Sequence, residues 1–118
     1  MAFPMSRKTD ELAPDEFESV ARLFTVLADP TRLMLLHTLK RRPAYVHELC
    51  RRTGLKQANV SKHLSMMYDA GLVSRQRNGN QIRYAVGDAV VFELCNLVCR
   101  KLHRAAESQA RLLRRVGA

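Results

Sequence analysis

The chain has 118 residues, 47% of them hydrophobic, and carries 20 Lys and Arg against 11 Asp and Glu, a formal net charge of +9. This length suits one domain, and the apolar content excludes a disordered chain. No apolar run approaches the roughly 18–20 residues that span a bilayer, and the N-terminus shows no signal-peptide core, so we expect a cytoplasmic protein. Such a basic excess favours nucleic acid or an anionic membrane surface as partner.

The first third of the chain predicts a loose arm and two helices. Residues 1–13 lack hydrophobic periodicity, so we expect a flexible arm ahead of a single domain at 14–115. Pro14 followed by two acids is typical of a helix start, and apolar side chains then recur at spacings of three and four. Pro30 opens a second helix that runs to Arg41. Because this helix is apolar nearly all round, we expect it to be buried.

The middle of the chain predicts two helices joined by a tight turn. One covers about 46–53, the turn contains Gly54, and the other covers about 56–70. Val60 and Leu64 mark the core-facing side of the latter, and its other side is polar or basic. This pattern predicts a helix-turn-helix, a motif whose second helix lies in the DNA major groove.

A hairpin and a long helix follow. Strand-like runs at 72–77 and 81–86 flank Asn78-Gly79-Asn80, and Asn-Gly between such runs is a strong hairpin signal. Asp88 can cap a last helix at about 89–115. The order of elements predicts a mostly α fold with a β-hairpin wing, the winged helix-turn-helix.

Charge is concentrated in the predicted helix-turn-helix and wing. Residues 51–83 hold seven basic side chains and one acid, a local net charge of +6. A second basic cluster lies at 100–115, where a solvated helix face explains it equally well. The first cluster favours a polyanionic partner for the helix-turn-helix.

Three stretches of the sequence carry motifs that hydrophobic periodicity does not account for. They are Ala28-Asp29-Pro30-Thr31-Arg32-Leu33, then 48–64 (ELCRRTGLKQANVSKHL), then 68–73 with Arg83-Tyr84. In this order they resemble the ArsR/SmtB family of bacterial repressors, over about residues 15–104. The resemblance implies a transcriptional repressor that binds an inverted-repeat operator in double-stranded DNA as a homodimer and is released by an inducer.

The resemblance also implies which helices join the two subunits. The family dimerises through its first and last helices, and both carry an apolar stripe here that one small domain need not bury fully. A two-fold dimer presents two recognition helices about one DNA turn apart, which suits a palindrome. The predicted interface residues are Val20, Leu23, Phe24, Val91, Leu94, Cys95, Val98 and Leu102.

Polar side chains of the second helix of the motif are expected to reach base edges. Gln and Asn pair with adenine, Lys pairs with guanine, and Ala fits a thymine methyl group. The predicted DNA contacts are Lys56, Gln57, Ala58, Asn59, Ser61, Lys62 and His63 in this helix and Arg75, Arg77, Asn80 and Arg83 in the wing. For His63 a bond within the protein is the alternative, and for Arg83 an ion pair.

Lys56 departs from the family, which usually has Ser or Thr at this helix cap. The loss of the cap costs about 1 kcal/mol. A lysine can instead reach a phosphate.

The family's usual metal ligands are missing. One family site has two Cys where this chain has Tyr45 and His47, and the other, on the last helix, keeps one of four ligands. That ligand is Asp88, and this chain has Val90, Lys101 and Arg104 in place of the other three ligands. Neither site can form in its usual way.

Three Cys remain, and an odd number without an export signal predicts free thiols. Cys95 and Cys99 lie one turn apart on the last helix. They are either a sensor for As(III), another thiophilic metal ion or an oxidant, or small hydrophobes that only pack. His103 cannot join Cys95 at one ion, since about 12 Å of helix separates them. A third ligand is unidentified, and Cys50 is expected to be structural.

Other classes of function are less well supported. An enzyme is not expected, because the chain has no paired acids, no nucleophile with its base and no Gly-rich phosphate loop. RNA binding lacks an aromatic strand platform. The open alternatives are a regulator without metal or redox sensing, a winged helix that docks on protein or membrane without binding DNA, and activation in place of repression.

Overall fold

The computed structural model describes residues 11–117, so most of the predicted arm at 1–13 lies outside the described residues. Within that range the chain forms five helices and three strands. They are α1 (Pro14–Leu27), α2 (Pro30–Arg41), β1 (Ala44–Tyr45), α3 (Val46–Thr53), α4 (Gln57–Asp69), β2 (Val73–Asn78), β3 (Gln81–Val86) and α5 (Ala89–Gly117). This order confirms the predicted winged helix-turn-helix. None of the described helices is both long and apolar enough to cross a bilayer.

Side chains at the helix starts explain where α2 and α3 begin. The carboxylate of Asp29 accepts a hydrogen bond from the backbone N–H of Arg32 at 2.9 Å, and Pro30 occupies the first turn of α2. That hydrogen bond is the main reason why the pKa of Asp29 lies below its ordinary value of 3.8. At α3 the Glu48 carboxylate accepts from the backbone N–H of Tyr45 at 3.0 Å. Both contacts satisfy N–H groups that a helix leaves unpaired at its start.

The core lies between α2, α3, α4 and the sheet, and α1 and α5 each add one buried residue to it. Val60 and Leu64 are fully buried, as the sequence predicts. The buried apolar side chains are Leu27, Leu35, Leu36, Leu39, Ala44, Leu49, Val60, Leu64, Met67, Leu72, Val73, Tyr84 and Val91.

The prediction that α2 is buried holds for one side of the helix only. Leu35, Leu36 and Leu39 are buried, but Leu33 is 44% and Met34 is 45% exposed. Neighbouring elements cover one side of α2, and the turn of the helix carries these two residues to the other side. Composition alone does not reveal how many neighbours a helix has.

The sequence did not predict β1. This strand of two residues pairs antiparallel with β3, Ala44 opposite Tyr84 and Tyr45 opposite Arg83, and gives a three-stranded sheet in the order β1-β3-β2. Two residues are too few for an alternating pattern, so nothing local indicates a strand. The pairing ties the wing to the start of α3.

The hairpin loop is one residue shorter than the predicted Asn78-Gly79-Asn80. Asn78 pairs with Gln81 at the end of the ladder, so Gly79 and Asn80 alone form the loop. Gly79 has φ +66°, and a positive φ at the first loop position is what a type II′ hairpin turn requires. The Asn78 side chain donates a hydrogen bond to the Tyr45 hydroxyl at 2.8 Å, which holds the end of β2 across the sheet.

Gly87 allows a close backbone approach at the base of the wing. Its N–H donates to the carbonyl of Leu72 at 3.0 Å. A Cβ added at Gly87 would lie 2.9 Å from the backbone N of Ser74 and 2.9 Å from the carbonyl C of Val73. These neighbours are backbone atoms and cannot rotate away.

We expect Gly87→Ala to lower the free energy of unfolding by about 1–3 kcal/mol, the usual cost of forcing extra atoms into a packed site. Urea denaturation measures the change. Gly71→Asn is the control, because Gly71 has φ +78° with nothing within 4 Å of an added Cβ, and Asn tolerates this conformation. Equal stability of Gly87→Ala and the unaltered chain would contradict the close approach.

Candidate nucleic-acid interface

One side of α4 is held in the core, and its other side faces solvent. Val60, Leu64 and Met67 have no exposed surface. The helical repeat therefore turns the intervening side chains outward. Of the predicted contacts on this helix, Gln57, Ala58, Asn59 and Lys62 are exposed, and Ser61 and His63 are partly buried.

Lys56 precedes α4 as its N-cap residue. Its backbone is extended, with φ −74° and ψ 149°, and its side chain makes no capping hydrogen bond. The first N–H groups of α4 are therefore not capped by this side chain, and Lys56 is exposed at the start of the helix. Helix N–H groups and a lysine together suit an anionic oxygen.

His63 makes a contact within the protein. Its Nδ1 lies 3.2 Å from Nη1 of Arg32 and 4.0 Å from the carboxylate of Asp29, and its side chain is 13% exposed. The intramolecular bond that the sequence analysis held open for His63 is thus present. Contact of His63 with DNA stays a prediction.

The basic side chains of the wing lie at different distances from the hairpin loop. Arg75 lies at the base, where its guanidinium stacks on the ring of Tyr68 from α4, with Cζ 3.8 Å from the ring centroid. Arg77, Asn80 and Arg83 are exposed nearer the loop. Within residues 11–117 Arg83 makes no ion pair. The stacking of Arg75 on Tyr68 holds the wing against α4.

The outward side of α4 and the wing present basic and hydrogen-bonding side chains, with Arg75 and Arg77 on one face of the hairpin and Arg83 on the other. The outward side of α4 and the wing lie in the segment 51–83, whose net charge is +6. Such a surface attracts phosphates through its charge and can read bases through its Gln, Asn and Lys side chains. The contacts of Tyr68 with Arg75 and of Arg32 with His63 could not be predicted from the sequence, because they join residues of different elements.

The predicted interface residues on α1 and α5 differ in burial. Val91 is buried, and Val20, Leu23, Leu94 and Cys95 are partly buried. Phe24 is 54%, Val98 49% and Leu102 63% exposed. The apolar stripes of α1 and α5 are therefore partly uncovered within one protomer, at Phe24, Val98 and Leu102.

The three thiols are free and partly buried. Cys50 and Cys95 pack against the core, and burial raises the pKa of the Cys95 thiol. Cys99 lies one turn beyond Cys95 on α5. Among the described residues, no three His, Cys, Asp or Glu side chains are grouped so that they could hold a metal ion.

Comparison with known proteins finds relatives that are transcriptional regulators. The model of the arsR family of bacterial regulatory proteins matches residues 29–75. The probable mercury resistance operon repressor of Streptomyces lividans is 41% identical over 92 residues, which cover 78% of this chain and 74% of that protein. The transcriptional regulator CmtR of Mycobacterium tuberculosis is 42% identical over 71 residues, 60% of each chain.

A solved structure extends the similarity to nearly the whole chain. The crystal structure of the antimony-specific transcriptional repressor AntR superposes with a TM-score of 0.76 at 31% identity, covering 91% of this chain and 97% of that one. The described helices, the hairpin wing and these relatives agree. The chain belongs to the ArsR family and is a DNA-binding transcriptional regulator.

Proposed function

We propose that the protein represses transcription as a homodimer bound across an inverted repeat of duplex DNA, and that a thiophilic metal ion releases it. The main support for the proposal is that the outward side of α4 presents polar side chains next to a basic wing. In this arrangement Gln57, Asn59 and Lys62 meet base edges in the major groove. Arg77 and Arg83 lie along the backbone or the minor groove, where arginine is favoured.

Exposed apolar surface supports the dimer. Phe17 and Phe24 of α1 are 59% and 54% exposed, and Leu102 and Val116 of α5 are 63% and 79% exposed. Uncovered apolar stripes of this kind mark interaction surfaces. On α5 the stripe recurs every three or four residues to the helix end. It consists of Val91, Cys95, Val98, Leu102, Ala105, Leu112 and Val116 and is interrupted by the polar Gln109.

The distribution of charged residues along the chain supports a second copy of the chain as the partner. Residues 11–18 carry four acids, of which Glu16 is buried, and no base, whereas residues 100–117 carry six basic side chains and one acid. Two copies with α1 of one against α5 of the other bring opposite charges together beside the apolar stripes. Complementary potentials of this kind favour one pairing over others.

DNA binding by the full chain tests the proposal. We expect a dimer by light scattering, with preference for its own upstream DNA over a random duplex of equal length. If a dimer neutralises about eight phosphates, log affinity falls with log salt at a slope of roughly −7. A monomer that binds duplex weakly, without salt dependence or sequence preference, would contradict the proposal and favour a winged helix that docks on protein.

Lys56→Ser separates the phosphate contact from the missing cap. We expect a gain of about 1 kcal/mol in the free energy of unfolding, because Ser caps the first N–H groups of α4. We also expect the magnitude of the salt slope to fall by about 2 per dimer, one phosphate contact per protomer. Chemical denaturation and DNA titrations measure these changes.

Lys56→Ala is the matched control for this substitution. It removes the same charge without providing a cap, so it should reproduce the loss in salt slope but not the gain in stability. An unchanged salt slope in both variants would show that Lys56 does not contact DNA.

The inducer is proposed from the thiols and from the relatives. Two relatives are named for mercury and antimony, both thiophilic elements. Cys95 and Cys99 lie about 6 Å apart along the helix axis, so the pair can supply two thiolates to one soft ion. Since burial raises the pKa of Cys95, binding must displace its proton, and the affinity for the ion rises with pH.

The double variant Cys95→Ser, Cys99→Ser tests the sensor. Mercury(II), antimonite or arsenite should release the unaltered protein from DNA, and should leave the double variant bound, in a gel-shift titration. Cys50→Ser is the control and should respond like the unaltered protein. Release of the double variant by the same ion would exclude this pair as the sensor, and release of the unaltered protein by peroxide alone would indicate thiol oxidation.

A further inference from the structure

Arg32 joins three elements, although it lies outside the surface proposed to meet DNA. Its backbone N–H donates to the Asp29 carboxylate, and its Nε donates to the carbonyl of Val26 in the last turn of α1. Its Nη1 lies 3.2 Å from Nδ1 of His63 and 3.7 Å from the sulfur of Met66, both on α4. One side chain therefore connects the end of α1 to the recognition helix.

The chemistry of the two side chains determines which atom donates. A guanidinium has five N–H donors and no acceptor, so Nδ1 of His63 accepts the hydrogen bond from Arg32. In the neutral ring the proton then lies on Nε2. The contact selects one tautomer and one ring orientation, as partners of histidine nitrogens generally do.

The planar fork of Arg32 suits this double contact. Nε and Nη1 point to different partners, the Val26 carbonyl and the His63 ring, from one rigid group. A lysine has a single ammonium group on a flexible stem and does not reproduce a fork. The contact is therefore specific to arginine.

We propose that Arg32 is a positioning residue for DNA binding, which sets the orientation of α4 relative to α1 by holding Val26 and His63 at the same time. The inference rests on the proposed function, in which α1 lies in the dimer interface and α4 meets DNA. The recognition helix of each copy then takes its orientation from the helix that pairs the subunits. Val60 and Leu64 hold α4 in the core independently of this contact, so the fold persists without it.

Two substitutions of nearly equal shape at position 63 test the contact. In His63→Asn the side-chain oxygen replaces Nδ1 as acceptor but nothing replaces Nε2, whereas His63→Leu has no acceptor at all. We expect Arg32→Lys and His63→Leu to bind upstream DNA roughly tenfold more weakly, and His63→Asn to stay within about threefold of the unaltered protein. Circular dichroism and light scattering should show the same fold and dimer in every variant.

The tautomer of His63 provides a readout that needs no DNA. In the ¹⁵N-labelled full chain, two-bond ¹H–¹⁵N correlation spectra distinguish Nδ1–H from Nε2–H. We expect the Nε2–H form for His63 in the unaltered protein and a mixture of both forms in Arg32→Lys. Identical ring spectra in the two proteins would overturn the inference even if DNA binding changed.

The outcomes separate this inference from the proposed function. If His63→Leu binds DNA as tightly as the unaltered protein, the positioning role is wrong while DNA binding stands. If His63→Asn fails as badly as His63→Leu, Nε2 contacts DNA directly and the positioning role is again wrong. Absence of salt-dependent DNA binding by the unaltered protein would overturn the proposed function, and this inference with it.

Discussion

Burial of one side of α4 constrains the rest of the molecule. Val60, Leu64 and Met67 are removed from solvent by α2, α3 and the sheet. A helix turns fully every 3.6 residues, so fixing these three positions also fixes which side chains face outward. The polar side chains of α4 are thus presented by the same packing that stabilises the domain, and a hydrophobic interaction determines a polar surface.

Two contacts outside the core connect α4 to the wing and to α1. Arg75 stacks on Tyr68 and holds the wing beside α4, and Arg32 connects α4 to the last turn of α1. Both use a guanidinium, which pairs with rings and carbonyls through a rigid planar group. The wing, α4 and α1 are therefore linked by two arginines, of which the sequence predicted Arg75 only as a DNA contact and assigned no role to Arg32.

Local sequence was sufficient for the five helices and the two long strands, and insufficient for β1 and for the contacts between elements. Proline and acids mark the starts of helices, Gly54 marks the turn of the helix-turn-helix, and Asn-Gly between two strand-like runs marks the hairpin, so these follow from single segments. β1 was missed because its two residues form a strand only through pairing with β3. The exposure of Leu33 on α2 and the bond between Arg32 and His63 depend on residues distant in the chain. Periodicity carries no information about such neighbours.

The most direct test of the central claim is to map the DNA-contacting surface by amide chemical shifts in the ¹⁵N-labelled chain during titration with its own upstream duplex. We expect the largest shifts at residues 56–63, at the start of α4, and at residues 75–83 of the wing. Shifts confined to the basic C-terminal part of α5, with none on α4, would show that another surface binds DNA and would contradict the account.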